Sequence, residues 1–208
     1  MYDPLLKSTR WHTRLFHNMY EKYTTGAIVL GAADYGEYDK RFTLYTRDFG
    51  LVNARASAVR KMESKMRQSF ALFSHTSVSL VRGAHGWRAV GARALVNHEM
   101  TAYGVHTYAR ISHLITRLVH GEEKHEYLFD VLNSARDACA QKGEDALGAT
   151  ELLCVARILY ALGYLTSGAL TTALLMHTQF ADEDIKTVLD VRKDLLGTVN
   201  KAMAETQL

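Results

Sequence analysis

Cysteine is scarce. Cys139 and Cys154 are the only two in 208 residues, which excludes a disulfide framework and a four-thiolate zinc site. Proline is scarcer still, with Pro4 alone, so helices and strands are rarely interrupted from within. No run of 18 or more apolar residues occurs, and no membrane-spanning helix is expected. Residues 1–22 mix Lys7, Arg10, His12 and Arg14 with scattered apolar side chains and lack the continuous apolar centre of a secretory signal. Internal repeats and low-complexity tracts are absent. Also missing are Gly-x-Ser-x-Gly, a Walker loop and a clear Gly-x-Gly-x-x-Gly, which argues against an NTPase or a serine hydrolase of the usual motif classes. What remains is a globular chain of one or two domains at roughly 100–200 residues each, expected to be soluble and cytoplasmic.

What the chain does have is an uneven charge. The formal net charge is +3, but residues 1–93 carry +8 and residues 94–208 carry −5. The excess concentrates between Lys40 and Arg67, where eight basic residues face only Asp48 and Glu63. Two halves of opposite sign suit different partners, and the basic one suits a polyanion.

The texture changes near the same point. Gly26–Gly31 is a short apolar run, Arg41–Arg47 is rich in β-branched and aromatic residues, and Leu51–Ser57 follows. Phe70–Val81 alternates in the manner of a strand, the turn Gly83–Gly86 comes next, and Trp87–Gly91 returns. Five short strands at this spacing predict a small barrel. After about Val96 the period becomes helical, as in Val105, Tyr108, Ile111, Ile115 and Leu118, and again in Leu128, Val131, Leu132, Ala135 and Cys139. Leu152, Val155, Ala156 and Leu159 continue the pattern. A last helix is expected over Ile185, Val188, Leu189, Leu196, Val199 and Met203, with Asp182, Glu183 and Asp184 at its positive end. The expected class is α+β: an extension at 1–22, a five-stranded oligonucleotide-binding (OB-fold) barrel at 23–93, and an all-helical domain at 94–208.

A basic barrel of this kind binds nucleic acid by neutralising phosphates and releasing counterions, and exposed aromatics add base stacking. Arg55–Arg67, read as a loop or short helix between the third and fourth strands, holds five basic residues in thirteen. The candidates for phosphate contact are Arg41, Arg47, Arg55, Arg60, Lys61, Lys65 and Arg67, with Arg82 and Arg88 beside the Gly83–Gly86 turn. Tyr35, Tyr45 and Trp87 are the candidates for base stacking, although Trp87 suits barrel core equally well.

The ordered residues also resemble a known family. Tyr35-Gly36-Glu37, Asp39, Thr43-Leu44, Thr46 and Gly50 are similar to the opening of the DNA repair protein RecO. Ala58-Val-Arg-Lys61, Ser64-Lys65-Met66-Arg67 and Phe73-Ser74 resemble that family's basic segment. Arg157-Ile-Leu-Tyr-Ala-Leu-Gly-Tyr164 resembles a later helix end, and Val199–Leu208 its last helix. The resemblance implies a non-enzymatic recombination mediator that binds single- and double-stranded DNA and anneals strands. It also implies RecR, single-strand-binding protein and RecA as partners. Many members carry a Cys-x-x-Cys zinc module after the Leu-Gly-Tyr element, whereas Leu165–Gln179 has no cysteine here, so no metal site is expected. Met62 and Leu72 stand where the family often has proline, and Ser57 at a usual glycine. Two readings from other classes stand beside it: a protein-interaction adaptor that has lost DNA binding, and an RNA-binding barrel.

Other residue groups have plainer readings. Glu37 and Asp39 lie beside Lys40 and Arg41, which keep carboxylates ionised and unsuited to acid catalysis, so they are read as turn residues. His106, His113 and His120 recur every seven residues, about 10.5 Å apart along a helix, too far for one metal ion. Both cysteines fall among apolar residues and are read as buried thiols.

Overall fold

The apolar run at Gly26 is the middle of a strand more than twice as long. The computed structural model describes residues 21–61, 63–64, 66–95, 98–165 and 169–206. Its five strands are β1 (Lys22–Tyr35), β2 (Asp39–Thr46), β3 (Gly50–Ala56), β4 (His75–Gly83) and β5 (Gly86–Ala94). They close into a barrel in the order β1-β2-β3-β5-β4. β3 and β5 pair in parallel, Ala54–Ala56 against Trp87–Ala89, and the other neighbours are antiparallel. This is the five-stranded OB-fold.

Side chains alternate across the barrel wall, as the pleat requires. Ala27, Val29, Phe42, Leu44, Val52, Ala54, Val78 and Leu80 fill the interior. Ile28, Leu30 and Tyr45 instead join a second apolar cluster, shared with the helices. The β1–β2 register slips between Val29 and Gly31, and this bulge re-aims the strand beyond it. The alternating stretch expected from Phe70 becomes a strand only at His75. Gln68–Phe70 is instead a 3-10 turn, and Phe73 has φ +62°. The Phe73 amide donates to Val29 O at 2.8 Å, and Val29 N donates to Ser74 O at 3.1 Å. The segment before β4 is therefore tied to the bulge in β1.

The helices are α1 (Ala102–Leu118), α2 (Glu126–Gln141), α3 (Glu144–Ala161), α4 (Ala169–Met176), α5 (Asp182–Asp190) and α6 (Arg192–Glu205). Thr101 caps α1, its hydroxyl accepting from Gly104 N at 3.1 Å. His120 lies beyond the end of α1, so the heptad of histidines does not share one helix. The last segment is two helices rather than one, broken at Val191 (φ −100°, ψ 15°). None of the described helices is long and apolar enough to cross a membrane.

Barrel and helices share one core. Tyr108, Ile111, Phe129 and Leu132 pack in the same cluster as Ile28, Tyr45 and Phe73. Buried Arg136 reaches across, its Nε donating to Phe73 O at 2.7 Å while Nη1 pairs with Asp137 at 2.6 Å. Gly50 (φ +62°) lies against the segment between α1 and α2. A Cβ there would stand 2.1 Å from Glu123 O. Within the helical domain, buried Arg157 donates from Nε to Leu174 O at 2.9 Å and from Nη1 to Gln179 O at 2.7 Å. It thereby holds the backbone around α4 and before α5 against α3.

Candidate nucleic-acid interface

Three arginines form a row across the outside of the barrel. Arg41 on β2 is the register partner of Arg55 on β3, and Arg55 is the register partner of Arg88 on β5. Their neighbours Phe42, Ala54, Trp87 and Ala89 face inward, so alternation turns all three guanidinium groups outward. Adjacent strands lie about 4.8 Å apart, which makes the row a ladder of positive charge. It lines a cleft of about 560 Å3 together with Tyr35, Asn53, Ser57, Val81 and the turn Gly83–Gly86. The β1–β2 turn and the β4–β5 turn stand on its two sides, and in this fold that face receives oligonucleotides.

Like charges side by side repel, and two local devices offset the repulsion. Tyr35 lies beneath two of the guanidinium groups, with Arg41 at 4.9 Å and Arg55 at 4.7 Å from the ring centroid. Such contacts are favourable cation–π geometry. Arg55 also donates from Nε and Nη2 to Asp39, at 2.8 and 2.6 Å. The other Asp39 oxygen accepts from Ala58 N at 2.8 Å. That backbone bond first, and Arg55 second, hold the Asp39 carboxyl below the usual carboxylate range. Asp39 is thus an ionised anchor for the chain leaving β3, and it stands as the first residue of β2 rather than in the turn where it was expected. Arg41 and Arg88 have no carboxylate within ion-pair distance among the described residues.

The basic loop after β3 folds back onto the β1–β2 turn. Arg60 N donates to Tyr38 O at 3.0 Å, and Arg60 Nη1 donates to Gly36 O at 3.3 Å. The Lys61 ammonium stands 5.2 Å from the Tyr38 ring centroid. Arg60 and Lys61 are therefore carried to the end of the arginine ladder. Arg67 lines a neighbouring depression of about 460 Å3 with Lys40, Arg60 and Leu72. Asp34 answers part of that charge, at 3.5 Å from both Lys40 and Arg60. Lys65 lies outside the described residues.

Three candidates, Tyr45, Arg47 and Arg82, are placed differently from the expectation, and Trp87 takes the barrel-core one of its two readings. Tyr45 is 0% exposed and faces the helical core, where burial drives its ionisation up, so it is not available to stack on a base. Trp87 is 5% exposed and packs inside the barrel against Tyr23 and Phe49. Arg47 pairs with Asp130 of α2 and sits over the Phe129 ring at 4.8 Å. Arg82 pairs with Glu122 at 3.0 Å. Both arginines face acids of the helical domain rather than the cleft. In the other direction, Tyr38 at 47% exposed is an aromatic at the turn tip that joins the site. Its signal was its place in Tyr35-Gly-Glu-Tyr38, beside the basic stretch.

Among the described residues, no group of three or more His, Cys, Asp or Glu side chains could hold a metal ion. Cys139 and Cys154 are buried, and burial pushes the Cys139 thiol up to about 12. Both thiols belong to the apolar core of the helical domain, where the sequence reading expected them.

Residues 19–90 match the family model described as "Recombination protein O N terminal". The chain is similar to the DNA repair protein RecO of Desulfitobacterium hafniense, 36% identical over 61 residues, covering 29% of this chain and 22% of that protein. It is 43% identical to RecO of Pelotomaculum thermopropionicum over 61 residues, 29% of this chain and 24% of the relative. A longer match, to RecO of Rubrobacter xylanophilus, is 28% identical over 151 residues, 68% of this chain and 58% of the relative. In each case the chain spans less than two thirds of the relative's length.

Proposed function

We propose, for a chain that belongs to the RecO family, that it is a DNA repair and recombination mediator whose barrel holds DNA strands in the cleft. The observation that supports this most is the Arg41–Arg55–Arg88 row, open to solvent between the β4–β5 turn and a β1–β2 turn that carries the exposed Tyr35 and Tyr38. Phosphates take the arginines and release their counterions. Unpaired bases stack on Tyr35 and Tyr38, an interaction worth about 1–3 kcal/mol per base.

The mechanism makes and breaks no covalent bond. Strands gripped by their backbones keep their base edges free, so two complementary strands brought to one protein can pair without sequence choice by the protein. Single- and double-stranded DNA share the phosphate chemistry, and both are ligands in this reading. The acidic helical domain repels DNA over much of its surface and is the side offered to protein partners. The family reading brings RecR, single-strand-binding protein and RecA as those partners, and action in the cytoplasm.

A fluorescence titration of the full chain with a labelled single-stranded DNA across a salt series tests this reading. Three phosphate contacts give a log–log slope of about −2, at about −0.7 per phosphate. Affinity that is absent, or unchanged by salt, rejects DNA binding and leaves the protein-interaction adaptor. RNA that outcompetes DNA of the same sequence moves the reading to an RNA-binding barrel.

A further inference from the structure

Resting on the DNA-binding reading above, we propose that the β1–β2 hairpin is a wedge for forked DNA, with one single-stranded arm on each of its faces and the duplex end at its tip. Side chains alternate between the two faces of a strand pair. Ala33 is the register partner of Arg41 and Tyr35 of Asp39, while Ala32 pairs with Phe42 and Asp34 with Lys40. The two sets therefore point to opposite faces of one ribbon. The first face turns Tyr35 and Arg41 into the cleft with Arg55 and Arg88. The second turns Asp34 and Lys40 into the depression of about 460 Å3, where Arg60 and Arg67 also stand. Among the described residues none lines both hollows, so the hairpin parts two basic surfaces.

The second surface suits a nucleic-acid backbone as the first does. Lys40, Arg60 and Arg67 stand against one acid, Asp34, which is 3.5 Å from both Lys40 and Arg60. All three cations keep side chains open to solvent. The exposed Leu72 beside them offers an apolar seat to the face of an unpaired base. Strands held on the two faces are separated by the ribbon and cannot pair across it. They meet beyond its tip, Gly36–Tyr38. There the charge changes sign, for Glu37 is the one charged residue of the tip, and Tyr38 is exposed. A duplex end presents base faces to the tip and keeps its phosphates to either side, toward the cations. The tip is also braced as a wedge requires. Arg60 holds it from the side, its N donating to Tyr38 O at 3.0 Å and its Nη1 to Gly36 O at 3.3 Å. Asp39, the first residue past the tip, accepts from Ala58 N at 2.8 Å. Tyr38 thus stacks on the last base pair while the arms run down the two faces.

Anisotropy titration of the full chain tests this with three labelled ligands: a duplex carrying two non-complementary arms, the same duplex with one arm, and the arm alone. Three cations less one acid leave two further phosphate contacts for the second arm. The fork is therefore expected to show a salt slope steeper than the one-armed duplex by about 1.4, and to bind about 20-fold tighter at 0.1 M salt. Lys40→Gln/Arg67→Gln removes that advantage and leaves the one-armed duplex and the single strand near wild type, because those use the cleft. Tyr38→Ala lowers fork affinity about 10-fold through the lost stack, and Tyr38→Phe restores it. The inference is overturned if the double variant keeps the fork advantage, if it weakens the single strand as much as the fork, or if Tyr38→Ala binds the fork like wild type. A wild type without salt-dependent binding to any of the three ligands overturns the functional reading and this inference together. A wild type that binds the single strand and shows no preference for the fork over the one-armed duplex overturns the inference alone.

Discussion

The triple variant Arg41→Gln/Arg55→Gln/Arg88→Gln is expected to bind single-stranded DNA about 100-fold more weakly than wild type at 0.1 M salt. The figure follows from counterion release. Three phosphate contacts at about −0.7 each make a slope of about −2, which is about 100-fold between 1 M and 0.1 M salt. The variant's own slope flattens by the same amount. Because the three side chains point out of the barrel wall, its interior packing is untouched and the thermal melt stays close to wild type. Arg55 is the exception to watch, since its guanidinium also binds Asp39. Asp39 keeps its bond from Ala58 N, and Gln can still donate, so the loop after β3 retains its anchor. A titration with a melt on the same sample separates lost binding from lost fold. The reversed substitutions to Glu add repulsion and remove measurable binding.

Gly50→Ala is expected to carry the largest stability loss of any small substitution in the barrel, about 2–4 kcal/mol. Two effects add there. Gly50 has φ +62°, a left-handed conformation that costs a side chain about 1–2 kcal/mol. The new Cβ also meets Glu123 O at 2.1 Å, and backbone cannot yield as a flexible side chain can. Gly36→Ala supplies the comparison. Its φ is +69° with nothing within 4 Å of a Cβ, so it bears the conformational cost alone. In a chain of this size 1 kcal/mol moves the melting temperature by about 2–4 °C. Gly50→Ala is therefore expected to melt several degrees below Gly36→Ala. That difference reads the contact between barrel and helical domain directly. Equal melting of the two variants would show that the contact carries no energy.

The parts of the fold that depend on local pattern were legible in the residues. β-Branched and aromatic residues marked the strand at Arg41–Arg47, alternation marked the later half of Phe70–Val81, and the helical period marked α1, α2 and α3. The parts set by tertiary pairing were not. β1 extends to Lys22 because β4 supplies a partner as far as Val81, and nothing in Tyr23-Thr-Thr announces that pairing. Tyr45 shows the same limit at the site. Alternation correctly turns it away from Phe42 and Leu44, which reads as exposure. The wall it faces is covered by α1 and α2, so an outward aromatic became core. Arg47, two residues on, was drawn into the same junction by Asp130 and Phe129. A count of charge along the chain cannot tell a cation open to a ligand from one matched by an acid of the other domain. The last helical stretch looked continuous because Ile185, Val188, Val199 and Met203 keep near-helical spacing across the break at Val191.

In the proposed function the strand lies on the face between the β1–β2 and β4–β5 turns. Photocross-linking tests it most directly, using a single-stranded DNA that carries 5-bromodeoxyuridine, the full chain, and peptide mapping of the adducts. Adducts are expected at Tyr35 and Tyr38 and in the peptide spanning Gly83–Arg88, lost in the triple arginine variant. Adducts confined to the helices between Ala102 and Glu205, with none on the barrel, would contradict it.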